Sequence, residues 1–115
     1  MRKFKTTFVY NVHDIRVVDG DTLEATIDLG FHISFKTKLR LYGINCPELS
    51  TNKGKKAKAF VEQMINGADK VQIQTIKNRQ GKYGRYLAIV YIYKNGQAIN
   101  LNKLLLDKGL AREYK

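Results

Sequence analysis

The chain has 115 residues, 21 of them basic and 10 acidic, for a net charge of +11. That is room for one domain around one core, with roughly two-thirds of the unfolded surface buried on folding, and a charge balance that favours a polyanionic partner. One cysteine, Cys46, excludes an intramolecular disulfide and a cysteine-type metal cluster, and no apolar run reaches the ~20 residues of a membrane span.

Phe8 to Val18 is rich in β-branched and aromatic residues and predicts a strand, broken by Gly20. Thr22 to Leu29 alternates and predicts a second strand, with Gly30 as a turn. Phe31 to Ile44 reads as a third, long strand. Ser50 to Lys56 is polar and loop-like. Ala57, Phe60, Val61, Met64 and Ile65 then recur at helical spacing, and Gly67 is placed as the residue just past the helix end. Val71 to Ile76 reads as a strand, Asn78 to Gly84 as a glycine-rich basic loop, and Leu87 to Tyr93 as an apolar strand followed by the Asn95-Gly96 turn signal. Asn100 is placed to cap a final helix with Leu101, Leu104 and Leu105 facing inward and Gly109 at its end.

The predicted class is therefore mainly β with helices (α+β). Five strands, a helix between the third and fourth and a C-terminal helix follow the order of an OB-fold barrel. No repeat, low-complexity tract or linker interrupts it, so residues 1–115 are expected as a single domain and a monomer. The basic start, Met1 to Lys5, leads into no apolar segment of signal-peptide length. That places the protein in the cytoplasm if the chain is complete, and outside the cell if it is a processed or excised domain. Charge alone does not separate nucleic acid from anionic lipid. The lack of a basic amphipathic helix with a bulky aromatic face argues against a membrane.

Three charged segments carry the chemistry. Val18-Asp19-Gly20-Asp21-Thr22 sets two carboxylates around a glycine between two predicted strands. Alone, Asp21 reads as a turn aspartate bonded to its own backbone. The second segment runs from Arg40 through Asn45-Cys46-Pro47 to Glu48, and the third is Gly81-Lys82-Tyr83-Gly84-Arg85. Strand alternation puts Leu39 and Leu41 on one face and Arg40 on the other, where it is either an ordinary solvated residue or a two-pronged phosphate ligand. Arg85 is the second candidate for such a clamp. Together the segments supply acidic oxygens, two arginines and one further carboxylate, the inventory for cutting a phosphodiester with the help of a hard metal ion.

In that order and spacing, from about Val17 to Ala111, the segments resemble the signature of the staphylococcal nuclease (thermonuclease-like) family. The likeness includes the stretch around Ala57 and the ending Leu104-Leu105 through Gly109-Leu110-Ala111. It implies the same barrel and a Ca²⁺-dependent endonuclease that hydrolyses DNA or RNA, preferring single strands or frayed ends, and leaves a 3′-phosphate. It further implies Asp21, Asn45 and the main-chain carbonyl of Cys46 as Ca²⁺ ligands. Arg40 and Arg85 would clamp the phosphate, Glu48 would be the general base, and Lys82 and Tyr83 would touch substrate phosphates. Tyr114 is a candidate to stack on a base. Asp19 acts either behind the metal ligands or as a turn residue. His13 and His32 are expected as strand surface residues.

One departure stands out. The family usually has Asp where this chain has Asn45, which removes one formal charge from the metal site and predicts weaker Ca²⁺ binding or a shifted metal preference. A nucleophilic role for Cys46 is not expected, since neither histidine lies near it in sequence. Asn45 also keeps a second class open: a catalytically weak or inactive OB-fold module that binds single-stranded nucleic acid. A third is a small interaction domain whose basic surface is incidental.

Overall fold

The computed structural model describes residues 9–80 and 86–114, with the side chains of 77–80 left aside. Strands β1 (Val9–Asp19), β2 (Thr22–Gly30) and β3 (Ile33–Leu41) form an antiparallel meander. After a two-residue strand, β4 (Ile44–Asn45), comes helix α1 (Asn52–Asn66). Strands β5 (Lys70–Gln80) and β6 (Tyr86–Lys94) follow, and β5 pairs back onto β1. Parallel pairing of β3 with β6 closes β1, β2, β3, β6 and β5 into a five-stranded barrel of OB type. β7 (Gln97–Asn100) extends β6 as a hairpin, α2 (Leu101–Asp107) packs on β6, and β8 (Arg112–Glu113) pairs with β4.

Alternation explains which side chains fill the barrel. Leu23, Ala25 and Ile27 of β2, Leu39 and Leu41 of β3, and Ala88, Val90 and Ile92 of β6 are all buried. In β1 the buried Val12 and Val17 are five residues apart, which strict alternation would put on opposite faces. A bulge takes up the extra residue: the β1–β2 register shifts between His13 and Arg16, and Asp14 has φ +50°. From α1, Ala57 and Val61 close the core from one side.

Several sequence expectations are corrected. The long third strand from Phe31 to Ile44 is two strands. Phe31 and His32 sit in the β2–β3 turn at φ +54° and +61°, so His32 is a turn residue, and Tyr42-Gly43 forms a second turn before β4. Helix α1 begins at Asn52, inside the stretch read as loop, because Thr51 is a strong N-cap whose Oγ1 accepts from the Gly54 N–H at 3.0 Å. Gly67 is the C-cap itself at φ −88°, not a left-handed residue beyond it. Strand β5 outruns Val71–Ile76 at both ends, so residues 78–80 extend a strand where a loop was expected. Neither β7 nor β8 was foreseen.

Other expectations hold. Asn95 and Gly96 turn at φ +52° and +77°. The Asn100 side chain accepts from the Lys103 N–H at 3.0 Å. Past the end of α2, Gly109 N–H donates to Leu106 and Leu110 N–H to Leu105, both carbonyls, in a Schellman arrangement. Leu101 and Leu105 are fully buried, and Leu104 is half-buried.

Candidate active site

The β2–β3 register sets Arg40 opposite Thr22, and so beside the Asp19-Gly20-Asp21 turn. The main chain reinforces this, because Leu41 N–H donates to the Asp21 carbonyl at 2.9 Å. Gly43 then takes φ +80°, a backbone state that a side chain disfavours. The turn it allows folds β4 back, so that Asn45 and Cys46 meet the same spot.

Asp21, Arg40, Asn45 and Cys46 converge there, with Tyr114 above them. Asp21 is buried; its Oδ2 accepts from the Cys46 N–H at 2.9 Å and its Oδ1 from the Thr22 hydroxyl at 3.2 Å. Arg40 Nη2 stands 3.6 Å from Asp21 Oδ2, with only 12% and 10% of the two side chains exposed. The same Nη2 donates to Asn45 Oδ1 at 2.9 Å, while Nη1 donates to the carbonyls of Ile44 at 2.9 Å and Leu41 at 3.3 Å. The guanidinium is therefore fixed, yet its Nε–H bonds no described residue and remains for an incoming oxygen. Tyr114 lies over it, with the ring centroid 5.2 Å from the guanidinium carbon.

Tyr114 arrives by a route that sequence reading missed. β8 pairs with β4, placing Arg112 against Asn45, and Tyr114 N–H donates to the Gly43 carbonyl at 2.9 Å. The turn beneath is anchored by Asn102, also unforeseen. Its Nδ2 donates to the carbonyls of Tyr42 and Ala88, and its Oδ1 accepts from the Val90 N–H. One buried amide thus ties α2 to β6 and to the β3–β4 turn. The sequence signal was faint: a polar residue at a position the leucine spacing of α2 leaves to the core.

Burial would raise the Asp21 carboxyl. Hydrogen bonding within the Asp19–Asp21 pair, the Cys46 N–H and the charge of Arg40 outweigh it and hold Asp21 below the usual carboxylate range. Asp19 goes the other way: burial first, then the adjoining Asp21, push it up to about 6. Its Oδ1 accepts from the Asp21 N–H at 3.1 Å, which is turn geometry. Burial, then the charges of Asp21 and Asp19, push the Cys46 thiol up to about 12, so at neutral pH it is no nucleophile.

Glu48 sits three residues before the N-cap of α1, and α1 has no acidic residue in its first turn, so Glu48 is not a helix-start glutamate. Its side chain is exposed and makes no hydrogen bond or ion pair with a described residue. Its main chain is gripped: the Glu48 carbonyl accepts from Thr51 N–H at 3.0 Å and from Thr51 Oγ1 at 2.7 Å. Gly54 presses on the same peptide. A Cβ at Gly54 would stand 1.9 Å from the Glu48 carbonyl oxygen and 2.8 Å from that of Pro47. At Gly20 a Cβ would stand 2.8 Å from both Ala57 Cβ and Cys46 Sγ. Two glycines thus let α1 and the aspartate turn close on the Cys46–Glu48 segment. A glycine interrupting a helical pattern was the available signal.

The structure brings together Asp21, Arg40, Asn45, Cys46 and Tyr114. Lys82, Tyr83 and Arg85 lie outside the described residues. For Ca²⁺, the donor set is all oxygen: the Asp21 carboxylate, Asn45 Oδ1 and the Cys46 carbonyl, which suits a hard cation. It is sparse in charge, and Asn45 Oδ1 already accepts from Arg40. Among the described residues no group of three or more His, Cys, Asp or Glu side chains stands together as a metal cage. The set fits a weakly held hard cation.

Residues 38–115 match the family model described as Staphylococcal nuclease homologue. Asp21 precedes that stretch and is joined to it through the Cys46 N–H. Among curated relatives, an uncharacterized protein of Methanocaldococcus jannaschii is 30% identical over 87% of this chain and 57% of its own length. The Thermonuclease of Staphylococcus hyicus is 31% identical over 95% of this chain and 65% of its own length. Endonuclease YhcR of Bacillus subtilis is 32% identical over 86% of this chain but only 8% of its own length. The chain thus spans less than two-thirds of each of these relatives. Its barrel and the stretch matched from Lys38 onward place it in the staphylococcal nuclease homologue family.

Proposed function

We propose that the protein is a nuclease that hydrolyses the phosphodiester bonds of DNA or RNA with a divalent cation, Ca²⁺ by preference, and leaves 3′-phosphate ends. The observation that carries this reading is the fixed Arg40 guanidinium. Three acceptors hold it beside the Asp21 carboxylate, with its Nε–H left open. A preset cation at that point stabilises charge that grows on the phosphate oxygens during attack, without reorganising at the moment of reaction.

Each residue then has a task. Arg40 offers its Nε–H to one phosphate oxygen, and Arg85 supplies the second guanidinium. Asp21, Asn45 Oδ1 and the Cys46 carbonyl would hold the cation, which when bound would supply further charge neutralisation. Glu48, exposed at the end of a rigidly held peptide, takes the proton from the attacking water as the 5′-side P–O bond breaks. Lys82 and Tyr83 touch neighbouring phosphates, and Tyr114 offers its ring to a base. Single strands or frayed ends suit such a surface, since stacking needs an unpaired base.

The test is cleavage of supercoiled plasmid and of a single-stranded oligonucleotide, with Ca²⁺ and with chelator, followed by identification of the ends. Ca²⁺-dependent cutting with 3′-phosphate ends is expected. Cutting that chelator leaves untouched, or 5′-phosphate ends, would overturn the reading. One observation favours a second reading, a binding module without turnover: Asn45 is neutral and its oxygen is committed to Arg40. Salt-sensitive oligonucleotide binding with no cleavage at any cation concentration would select it.

A further inference from the structure

A cavity of about 330 Å³ opens beside Asn45, between β4, the first turn of α1 and the α2–β8 segment. Its lining includes Asn45, Pro47, Thr51, Lys53, Leu110 and Arg112. We propose that it is a second nucleotide subsite, taking the phosphate and sugar next to the unit gripped at Arg40. For its substrate class this rests on the nuclease reading above; for its place it rests on the cavity.

Three observations converge. Charge is the first: Lys53 and Arg112 are exposed and make no hydrogen bond or ion pair with a described residue, and no carboxylate lines the cavity. Two unpaired cations over a concave site favour an anion, and Arg112 can meet a phosphate with two parallel bonds. Size and surface are the second. The volume lies in the range of small-ligand sites, and Pro47 and Leu110 give the apolar wall that a sugar ring needs beside its phosphate. Continuity is the third. Arg112 is paired with Asn45 across β4–β8, and Tyr114, two residues on, covers Arg40. Tyr114 directly follows β8 and its N–H still bonds the Gly43 carbonyl; extended spacing of about 3.4 Å per residue sets it roughly 6.8 Å from Arg112, the order of one nucleotide step. Arg40, Arg112 and Lys53 therefore mark one basic track, joined by Asn45, which bonds Arg40 and also lines the cavity.

The test compares single-stranded d(TpT), with one phosphate, and d(TpTpT), with two, titrated at low salt and followed by backbone amide NMR. In the parent protein the second phosphate should tighten binding roughly tenfold or more. Amides of Lys53, Leu110 and Arg112 should shift with the longer probe only. In the double variant Lys53→Gln, Arg112→Gln the gain and those shifts should both vanish. Folding is checked by the unchanged amide spectrum of the barrel strands, since both side chains are solvent-facing. A gain that survives the double substitution, shifts confined to other residues, or binding of neither probe would overturn the subsite. A protein that shows the gain yet cuts nothing keeps the subsite and loses the nuclease reading. One that cuts but shows no gain with length does the reverse.

Discussion

Gly54→Ala should damage both stability and turnover, although helix propensity favours it. Position 54 is in the first turn of α1, where alanine is better than glycine by about 1 kcal/mol in an unconstrained helix. The structure opposes that gain. The new methyl carbon would stand 1.9 Å from the Glu48 carbonyl oxygen, 1.5 Å short of the 3.4 Å at which ordinary contact begins. The obstacle is backbone, held by two hydrogen bonds from Thr51, so it cannot swing aside as a side chain would. Overpacking of this kind costs about 1–3 kcal/mol against a propensity gain of about 1 kcal/mol, and because the clash is with fixed backbone the upper end applies, so a net loss of about 2 kcal/mol is expected. Moving the Pro47–Glu48 peptide by ~1 Å misplaces the proposed base, and such a displacement can cost 10²-fold in rate. Urea unfolding and single-turnover cleavage read the two effects. Gly67→Ala is the control: its Cβ meets nothing closer than Lys94 Nζ at 3.4 Å, and its φ of −88° suits any residue. It should be neutral or stabilising by ~0.5 kcal/mol. If Gly54→Ala instead stabilises like the control and cuts at the parent rate, α1 does not set the position of Glu48.

Asn102→Ala should cost on the order of 3 kcal/mol in urea unfolding, because it strands the Tyr42 carbonyl and the Val90 N–H and leaves the Ala88 carbonyl with the Tyr42 N–H alone; a loss under ~1 kcal/mol would mean water replaces the amide. Asn45→Asp adds the missing charge and should lower the Ca²⁺ concentration for half-maximal cleavage. An unchanged or higher requirement removes Asn45 from the metal site. Tyr114→Ala removes the ring over Arg40 and should cost about 0.5–2 kcal/mol in oligonucleotide affinity or stability, read by binding isotherms and thermal melts; no change in either would leave Tyr114 idle.

The barrel was legible because its period-two runs are clean. Leu23, Ala25 and Ile27, then Leu39 and Leu41, fall on one face as alternation requires. So was α2, whose Asn100 cap and Gly109 stop carry local chemistry that tertiary structure did not override. The Phe31–Ile44 strand failed because apolar residues at a turn look like strand; Phe31, at the hairpin tip, is 94% exposed. The start of α1 failed because its first turn is basic and carries a glycine, and the glycine answers to the Glu48 peptide rather than to helix propensity. In the site, Asp21, Arg40 and Asn45 were named from motifs, and their convergence follows from the Thr22–Arg40 register. What pattern could not reveal is pairing at long range. β4 with β8 involves two residues on each side, too short for any periodicity, yet it brings Tyr114 over Arg40 and Arg112 beside the cavity.

The most direct test of the account is the single-turnover cleavage of a single-stranded oligonucleotide by Glu48→Gln in saturating Ca²⁺, with binding measured on the same samples. Gln keeps the size of Glu and is a poor proton acceptor. Loss of a general base predicts a fall of about 10²–10⁴-fold in the cleavage rate, with the oligonucleotide dissociation constant unchanged within about twofold, since Glu48 contributes no positive charge to phosphate binding. Cleavage at the parent rate would contradict the assignment of Glu48 as the base.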